Sequence, residues 1–455
     1  MLALRSLLRT PLVTLFAGLA AGLIAFAPAA RAQLTIDVNQ GVFQPTPLAL
    51  ADFTGETADE LTLGRDIAEV ARNNLLSTGL FRATDPNAFV ERSLSIDVQP
   101  RFSDWRLINT DVLVNGRAVL QQDGRLRVEF RVWDIFGEAE LLARSYRTTP
   151  ENWRRIAHKV ADDIYTRLTG ETGYFDTRIV FVAEDGPKTN RRKRLAIMDQ
   201  DGANPSFLTA GRELVLTPRF SPNAQAITYM AYRNNRPTVF LFDIETGRQE
   251  ILGDFTGMTF APRFTPDGGG VIFSQARRGN SDIFRMDLRQ RDVTQLTDHP
   301  AIDTSPSMSP DGRQIVFNSD RGGSPQLYIM NADGSPRTCA NGSVDTACRI
   351  TFSEGRYSTP VWSPRGDLIA FTKQLRGRFN IGVIRPTGEG ERILTESYLD
   401  EAPSWSSNGR VVVFFREDRP GAGPKLWSVD LTGRNLRRLP TPGDASDPAW
   451  SPPLP

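Results

Sequence analysis

The chain has 455 residues, of which 40% are hydrophobic and 24% charged, a balance that is ordinary for a folded globular protein. This length exceeds what one hydrophobic core usually supports, so we expect two domains. The formal net charge is only +1. Without a basic surplus the chain lacks the electrostatic signature of a protein that binds nucleic acid or anionic membranes, and we expect neither partner.

The first 32 residues have the pattern of a secretory signal peptide. Arg5 and Arg9 precede an apolar run from Leu12 to Phe26, and Ala30-Arg31-Ala32 supplies a small-x-small cleavage site. The alternative is an N-terminal membrane anchor, for which the apolar run is short. We expect cleavage at the end of residues 1–32, which removes three arginines and no acid and changes the net charge from +1 to −2.

Residues 33–173 predict a small α/β domain. Helical spacing of apolar residues covers Glu60–Leu76 and Trp153–Leu168, and Gly170 is placed to end the second helix. Apolar or alternating runs predict five strands, at Leu34–Val38, Leu48–Phe53, Asp111–Leu120, Leu126–Ile135 and Leu141–Tyr146.

A five-residue signature, Pro-x-aromatic-Ser/Thr-Pro, organises residues 174–455. Six copies, two of them imperfect, begin at Pro218, Pro262, Pro306, Pro360, Pro403 and Pro448. Successive copies are 44, 44, 54, 43 and 45 residues apart, and repeats of about 40–45 residues are typical of β-propeller blades. The one long interval contains both cysteines, so we interpret it as an insertion.

Each repeat contains β-forming runs separated by turn residues such as Asp-Gly, Asn-Gly or Thr-Gly, which predicts four short antiparallel strands. Residues 178–183 and 195–199 resemble second and third strands without a signature, while no strands follow the last signature. A C-terminal strand that joined the first sheet would close the ring and remove its exposed edges. The sequence therefore predicts an α/β N-terminal domain, residues 33–173, followed by a six-bladed all-β propeller, residues 174–455.

Cys339 and Cys348 are the only cysteines and lie in one loop-like stretch. In an exported protein such a pair predicts a disulfide. The only dense basic run, Arg191–Arg194, falls between two predicted strands, and we expect it to form a solvated hairpin tip.

No catalytic constellation is found in the sequence. There is no GxSxG elbow, P-loop, GxGxxG or HExxH motif. His158 falls in the second predicted helix and His299 in a turn, and structural or solvated roles fit both better than catalysis. Asp199-Gln200-Asp201-Gly202 suggests either a calcium loop or a hairpin turn, and the turn explains it without the rest of an EF-hand pattern. We predict no enzyme activity, cofactor or specific metal site.

The residues just before each signature recur at one position in every blade, so we expect them to crowd around one mouth of the central channel. The alternatives are a binding face and a merely solvated set of loops. Asp303, Asp400, Glu401 and Asp447 would supply acceptors to a partner. The six pairs are Leu216-Thr217, Phe260-Ala261, Thr304-Ser305, Ser358-Thr359, Glu401-Ala402 and Ser446-Asp447.

The signal segment, the α/β domain, the six repeats and the terminal PAWSP together resemble the TolB family, periplasmic propeller proteins of the Tol–Pal cell-envelope system. The resemblance implies that the outer-membrane lipoprotein Pal, and in some bacteria colicin-type peptides, dock at the channel mouth. Met258 stands where some relatives carry a histidine, so that contact is expected to differ here. The implied Pal-binding residues are Met258, Thr259, Ala261, Asp303, Thr304, Ser305, Thr359 and Glu401.

The same resemblance implies that the mature N-terminus binds the inner-membrane protein TolA. Its alternating apolar residues suit edge-strand addition to a partner sheet, and pairing within its own domain is the alternative. The implied TolA-binding residues are Gln33, Leu34, Thr35, Ile36, Asp37, Val38 and Asn39.

Two functional hypotheses follow. The first is a periplasmic adaptor, monomeric outside its complexes, that supports outer-membrane integrity and constriction during cell division. The second is a propeller-based hydrolase or ligand sensor that uses the channel as a pocket.

Overall fold

The computed structural model of the chain describes residues 34–36, 44–91, 94–253 and 258–455. The predicted signal segment, residues 1–32, therefore lies outside the described part. Residues Thr35–Pro455 form one unit. Within the described ranges, none of the helices combines the length and the apolar character that crossing a bilayer requires.

A five-stranded sheet and three α-helices make up the described part of the N-terminal domain. The strand order is β2-β1-β3-β4-β5, in which β1 pairs in parallel with β2 and β3, whereas β3, β4 and β5 are antiparallel. The elements are β1 Thr46–Leu50, α1 Ala58–Ser77, β2 Phe81–Ala83, α2 Phe102–Leu107, β3 Val112–Leu120, β4 Leu126–Asp134, β5 Ala139–Thr148 and α3 Trp153–Thr169.

Local sequence explains where the two long helices begin and end. Thr57 and Glu60 form a capping box at the start of α1, each side chain accepting a backbone N–H of the other. Gly170 ends α3 with φ 72°, a left-handed conformation that glycine adopts without strain. The predicted helices and the four later strands are confirmed within a few residues. The predicted strand Leu34–Val38 is wrong over residues 34–36, which form no strand, and its remainder lies outside the described residues.

Successive side chains of the strands point to opposite faces, so the sheet has two apolar layers. Helix α2 and Leu94 cover one face, where Phe102 and Trp105 pack against Leu113 and Trp133. Helix α3 packs on β4 and β5 and also against α1.

The remaining strands form the β-propeller. They are β6 Arg178–Asp185, β7 Arg192–Asp199, β8 Ser206–Phe207, β9 Leu214–Phe220, β10 Ala226–Arg233, β11 Arg236–Asp243, β12 Gln249–Ile251, β13 Met258–Phe264, β14 Gly270–Arg277, β15 Asn280–Asp287, β16 Val293–Gln295, β17 Asp303–Met308, β18 Gln314–Ser319, β19 Gln326–Asn331, β20 Arg337–Thr338, β21 Val344–Asp345, β22 Ala347–Arg349, β23 Arg356–Trp362, β24 Ile369–Leu375, β25 Arg378–Ile384, β26 Arg392–Ile393, β27 Leu399–Trp405, β28 Val411–Glu417, β29 Lys425–Asp430, β30 Arg437–Arg438 and β31 Asp444–Trp450.

These strands form four four-stranded sheets, one eight-stranded sheet and the small β20-β21 hairpin. Within the eight-stranded sheet, β23–β26 and β27–β30 are joined through one parallel residue pair, Phe379 and Leu399. The predicted ring closure is confirmed, because β31 pairs antiparallel with β6 and completes the sheet that β7 and β8 continue. We call β9, β13, β17, β23, β27 and β31 the inner strands, since they carry the signatures.

The strand that follows each inner strand in its sheet carries one aromatic residue in the middle of the core. All six are at most 1% exposed, so burial of these rings is a repeated source of stability. They are Phe181, Tyr229, Phe273, Phe317, Phe371 and Phe414.

The basic run Arg191–Arg194 is not the solvated tip that we expected. Arg191 bonds Asp444 at 2.5 Å, Lys193 bonds Glu184 at 2.9 Å and Arg194 bonds Asp185 at 2.6 Å. The tip falls earlier, at the 3-10 turn Lys188–Asn190, and the basic residues therefore lie beside acids of the paired strands.

Candidate functional site

Each inner strand contains the same β-bulge, at the residue before the signature proline and the proline itself. In β9, Leu216 pairs with Met230 and Arg219 pairs with Thr228, so Thr217 and Pro218 together face the single residue Tyr229. The other five inner strands shift register at the equivalent point. Proline has no N–H to donate to the ladder, and the bulge accommodates it within the strand.

The residue before each proline has a left-handed backbone although none of the six is glycine. This conformation is sterically unfavourable for side chains with a Cβ and is unusual before proline. Strain of about 1–3 kcal/mol for each such residue persists only where the surrounding structure enforces it, and it concentrates at functional sites. We call these residues the bulge ring: Thr217 (φ 47°), Ala261 (52°), Ser305 (55°), Thr359 (47°), Ala402 (55°) and Asp447 (48°).

The bulge ring lies inside the inner strands and not in the loops before them, where we had expected it. β9 begins at Leu214, three residues before Thr217, and β17 begins at Asp303, two residues before Ser305. The ring residues therefore form part of the channel wall. The channel has one end where the inner strands begin, called the N-terminal end below, and a C-terminal end where they finish.

The predicted Pal-binding residues of β13 and β17 differ in exposure. Met258 is the first residue of β13. Thr259 is fully buried, and its hydroxyl has no hydrogen-bond partner in the described part of the chain. Asp303 is also fully buried and bonds Arg321 at 2.8 Å through one oxygen. Thr304 is half-buried, and its hydroxyl bonds the side chain of Asn318 at 3.3 Å.

The other predicted residues continue around the channel. The backbone N–H of Ser305 donates to the Ser274 hydroxyl at 3.0 Å, which links neighbouring sheets. The hydroxyls of Thr359 and Thr372 bond each other at 2.8 Å. Burial, and then the negative charges of Asp447 and Glu417, raise the pKa of Glu401 to about 7. Ala261, in the bulge ring, is half-buried.

Two arginines that the sequence did not indicate fix the acids at the N-terminal end. Arg321 pairs with Asp303, and Arg416 bonds both oxygens of Asp400, at 2.6 and 2.8 Å. The side chain of Arg416 is only 7% exposed and that of Asp400 is fully buried. Arg321 lies just after the end of β18, and Arg416 lies near the end of β28. This shared position near the end of the second strand of a sheet is the only feature of the sequence that could have indicated the two ion pairs.

Of the predicted TolA-binding segment, the structure describes only residues 34–36. Ile36 is buried, and its N–H donates to the carbonyl of Leu168 at 2.8 Å, at the end of α3. Gln33 and Asp37, Val38 and Asn39 lie outside the described residues.

The predicted disulfide between Cys339 and Cys348 is present, with Cα atoms 5.3 Å apart. The prediction that Asp199–Gly202 forms a hairpin turn is also confirmed. The Gly202 N–H donates to the Asp199 carbonyl, and β7 pairs with β8 across this turn.

His158 lies near this turn, and atoms of His158, Asp199 and Asp201 that could bind a metal lie within 4.8 Å of one another. Arg154 already donates to both carboxylates, at 3.2 Å for Asp199. A cation would have to displace this guanidinium. His299 is exposed, and its Nδ1 accepts the N–H of Ala301.

The fold and the site define a class of protein: a β-propeller whose channel wall repeats a strained bulge, joined to a small α/β domain. Residues 165–454 match the TolB β-propeller domain and residues 34–141 match the TolB amino-terminal domain. The chain therefore belongs to the TolB family. It is a component of the Tol–Pal system, and the family is non-enzymatic. TolB homologues are periplasmic.

A solved structure supports this assignment. The chain is 30% identical to TolB from Acinetobacter baumannii, with a TM-score of 0.76, and the match covers 92% of this chain and 100% of that one. A putative TolB from Agrobacterium tumefaciens is 20% identical with a TM-score of 0.46, and covers 60% of this chain and 90% of that one.

Proposed function

We propose that this chain is a periplasmic adaptor that binds the lipoprotein Pal at the N-terminal end of a six-bladed propeller channel. The blade count treats β23–β26 and β27–β30 as two blades, and we place the boundary between the α/β domain and the propeller at residues 173 and 174. Through Pal and TolA the protein would support outer-membrane integrity and constriction at division. Colicin-type peptides would compete at the same site.

The observation that carries the proposal is the bulge ring. Six strained residues at one level of the channel lower the stability of the fold, and such strain concentrates at functional sites. The strands hold the six residues in a fixed arrangement, and binding residues concentrate on rigid scaffolds of this kind. The hydroxyls of Thr217 and Thr259 and one oxygen of Asp303 are buried without a hydrogen-bond partner among the described residues. Such atoms favour a partner that supplies the missing hydrogen bonds.

Calorimetry tests this proposal. The chain from Gln33 onward would be titrated with the soluble domain of Pal from the same organism, and we expect a Kd in the micromolar range or tighter, about −8 kcal/mol. Ala261→Lys places a long charged side chain in the bulge ring and should weaken binding at least tenfold. Lysine is chosen because it is not β-branched and therefore adds less backbone strain at φ 52° than valine or isoleucine would.

The matched control is Ala340→Lys, at an exposed alanine in the disulfide loop, which should bind Pal like the wild type. Circular dichroism and thermal unfolding would confirm that both variants are folded. Absence of binding by a folded wild-type chain would overturn the Pal assignment, and equal loss in both variants would overturn the site.

For the N-terminal segment, we propose that residues 33–39 bind TolA by strand addition. Deletion of these residues should abolish binding to the TolA C-terminal domain and leave Pal binding intact. Retained TolA binding would place that contact elsewhere in the chain.

A further inference from the structure

The C-terminal end of the channel contains a cavity of about 360 Å³ lined by residues of all six inner strands and the turns that follow them. We call it the arginine cavity, because Arg219 and Arg263 are the only charged residues among its described lining and no carboxylate is present there. Both arginines occupy the x position of a signature, on the adjacent inner strands β9 and β13.

Neither guanidinium is neutralised by an ion pair in the described part of the chain. Arg219 donates to the carbonyl of Pro218 at 2.6 Å. Arg263 has no hydrogen bond or ion pair to a described residue. Burial, followed by the positive charge of Arg219, lowers the pKa of Arg263 well below its ordinary value. An arginine nevertheless stays protonated in proteins, so the cavity holds two cations that repel each other. The negative charge of Asp447 partly offsets the lowering of the Arg219 pKa by burial, and no described acid does the same for Arg263.

Two further signature positions add hydrogen-bond donors. The Ser307 hydroxyl accepts the backbone N–H of Trp362 at 3.0 Å, and the Ser404 hydroxyl accepts that of Trp450 at 3.0 Å. Because each oxygen already accepts a hydrogen bond, each hydroxyl has its own proton left to donate, and no described residue accepts it. The last two signature positions, Val361 and Ala449, are apolar. The polar side chains at this level are therefore donors, and among them only Arg219, which bonds the Pro218 carbonyl, has a described acceptor.

We propose that the arginine cavity binds a small oxyanion, with Arg219 and Arg263 supplying charge and paired N–H donors, and Ser307 and Ser404 supplying hydroxyl donors. Planar guanidinium groups match carboxylate and phosphate oxygens in a bidentate arrangement. The cavity, at about 360 Å³, is many times larger than the space that one water molecule needs, and it admits a phosphate ion or the carboxylate end of a peptide.

The first experiment uses inorganic phosphate and the folded chain from Gln33 onward, with calorimetry and thermal unfolding at low ionic strength. We expect saturable binding, a Tm that rises with phosphate concentration, and loss of affinity as salt is added. Arg263→Gln should reduce affinity at least tenfold. In a chloride buffer of the same ionic strength without phosphate, the Tm of Arg263→Gln should be higher than that of the wild type, because the substitution removes a positive charge that repels Arg219.

The control is Arg289→Gln, at an exposed arginine of the same sheet outside the cavity, which should behave like the wild type in both buffers. A second arm compares a tripeptide with a free C-terminal carboxylate with its amidated form. Binding of the free form alone would identify a peptide end as the ligand, and binding of phosphate alone would identify a free ion.

Absence of binding by every probe, or equal loss in Arg263→Gln and Arg289→Gln, would overturn the proposal. The cavity is lined by residues that follow the bulge ring along the inner strands. Arg263→Gln leaves the ring residue Ala261 in place, so Pal titration of this variant should be unchanged. The two proposals can thus fail independently.

Discussion

The two ends of the channel differ in how their charges are compensated, although the same six strands form both. At the N-terminal end, the buried acids Asp303 and Asp400 pair with Arg321 and Arg416, and Glu401 lies beside them without an ion pair to a described residue. The arginine cavity at the other end presents two guanidiniums and no carboxylate. The bulge and the buried aromatic ring recur in every sheet because backbone geometry and core packing require them. Side chains that face the channel are outside these cores and can change without altering the fold.

The acids at the N-terminal end differ among themselves as well. Asp400 is buried but held by two hydrogen bonds to Arg416. Glu401, the next residue, has no ion pair among the described residues and lies near two other acids. Removal of the first carboxylate should therefore destabilise the protein, whereas neutralisation of the second should stabilise it.

The largest expected effect comes from Asp400→Ala, which leaves the buried guanidinium of Arg416 without a partner. Breaking a buried ion pair from one side costs about 3–5 kcal/mol of unfolding free energy. Denaturant unfolding would measure it. The double variant Asp400→Leu/Arg416→Met removes both charges and should lose less than the single variant; an equal or larger loss would contradict this account.

A smaller effect of opposite sign is expected for Glu401→Gln. Since the pKa of Glu401 is raised to about 7 in the folded protein, the native state binds a proton more tightly than the unfolded chain does. Its contribution to stability is complete below about pH 4.5, and is lost as the pH rises to 7. At pH 8 the Gln variant should be more stable by about 1–3 kcal/mol.

Unfolding free energies measured from pH 4 to pH 8 would test this expectation. The wild type should show a decline that the variant lacks. Glu245→Gln, at an exposed position, serves as the control and should follow the wild type. Parallel pH profiles for wild type and Glu401→Gln would refute the assigned role of Glu401.

The smallest effect concerns backbone strain in the bulge ring. Ala261→Gly relieves the left-handed strain of about 1–2 kcal/mol but adds unfolded-state entropy of about 0.4–1 kcal/mol, so a net gain of about 0.5 kcal/mol is expected. Ala340→Gly has no such strain to relieve and should lose stability instead. If both variants shifted in the same direction, backbone strain would not be the cause.

Repeated local patterns made most of the fold predictable. The six signatures, their 44-residue spacing and the unmatched first and last elements together predicted the propeller and its closure. The capping residues Thr57 and Gly170 bracket helices whose apolar spacing was clear. By contrast, α2 has six residues and β2 three, too few for a period to be recognised.

The site was less accessible to sequence reasoning. The left-handed backbone of Thr217 and Thr359 opposes the local preference of β-branched residues before proline, so only the assembled sheet enforces it. The pairing of Asp303 with Arg321 joins the first residue of one strand to a residue just beyond the end of the next, which depends on register. Likewise, the charge of the arginine cavity emerges only when two repeats are placed side by side around the channel.

The closure of the ring has a consequence for how the protein is made. Trp450 in β31 donates its indole N–H to the Thr177 hydroxyl at 2.8 Å, although 273 residues separate them. In a chain delivered N-terminus first, β6 emerges early, and its edge on the channel side stays unpaired until β31 arrives. A truncated product would keep that edge exposed, open to proteases and to aggregation. Complete pairing of the first sheet therefore requires the C-terminal strand β31.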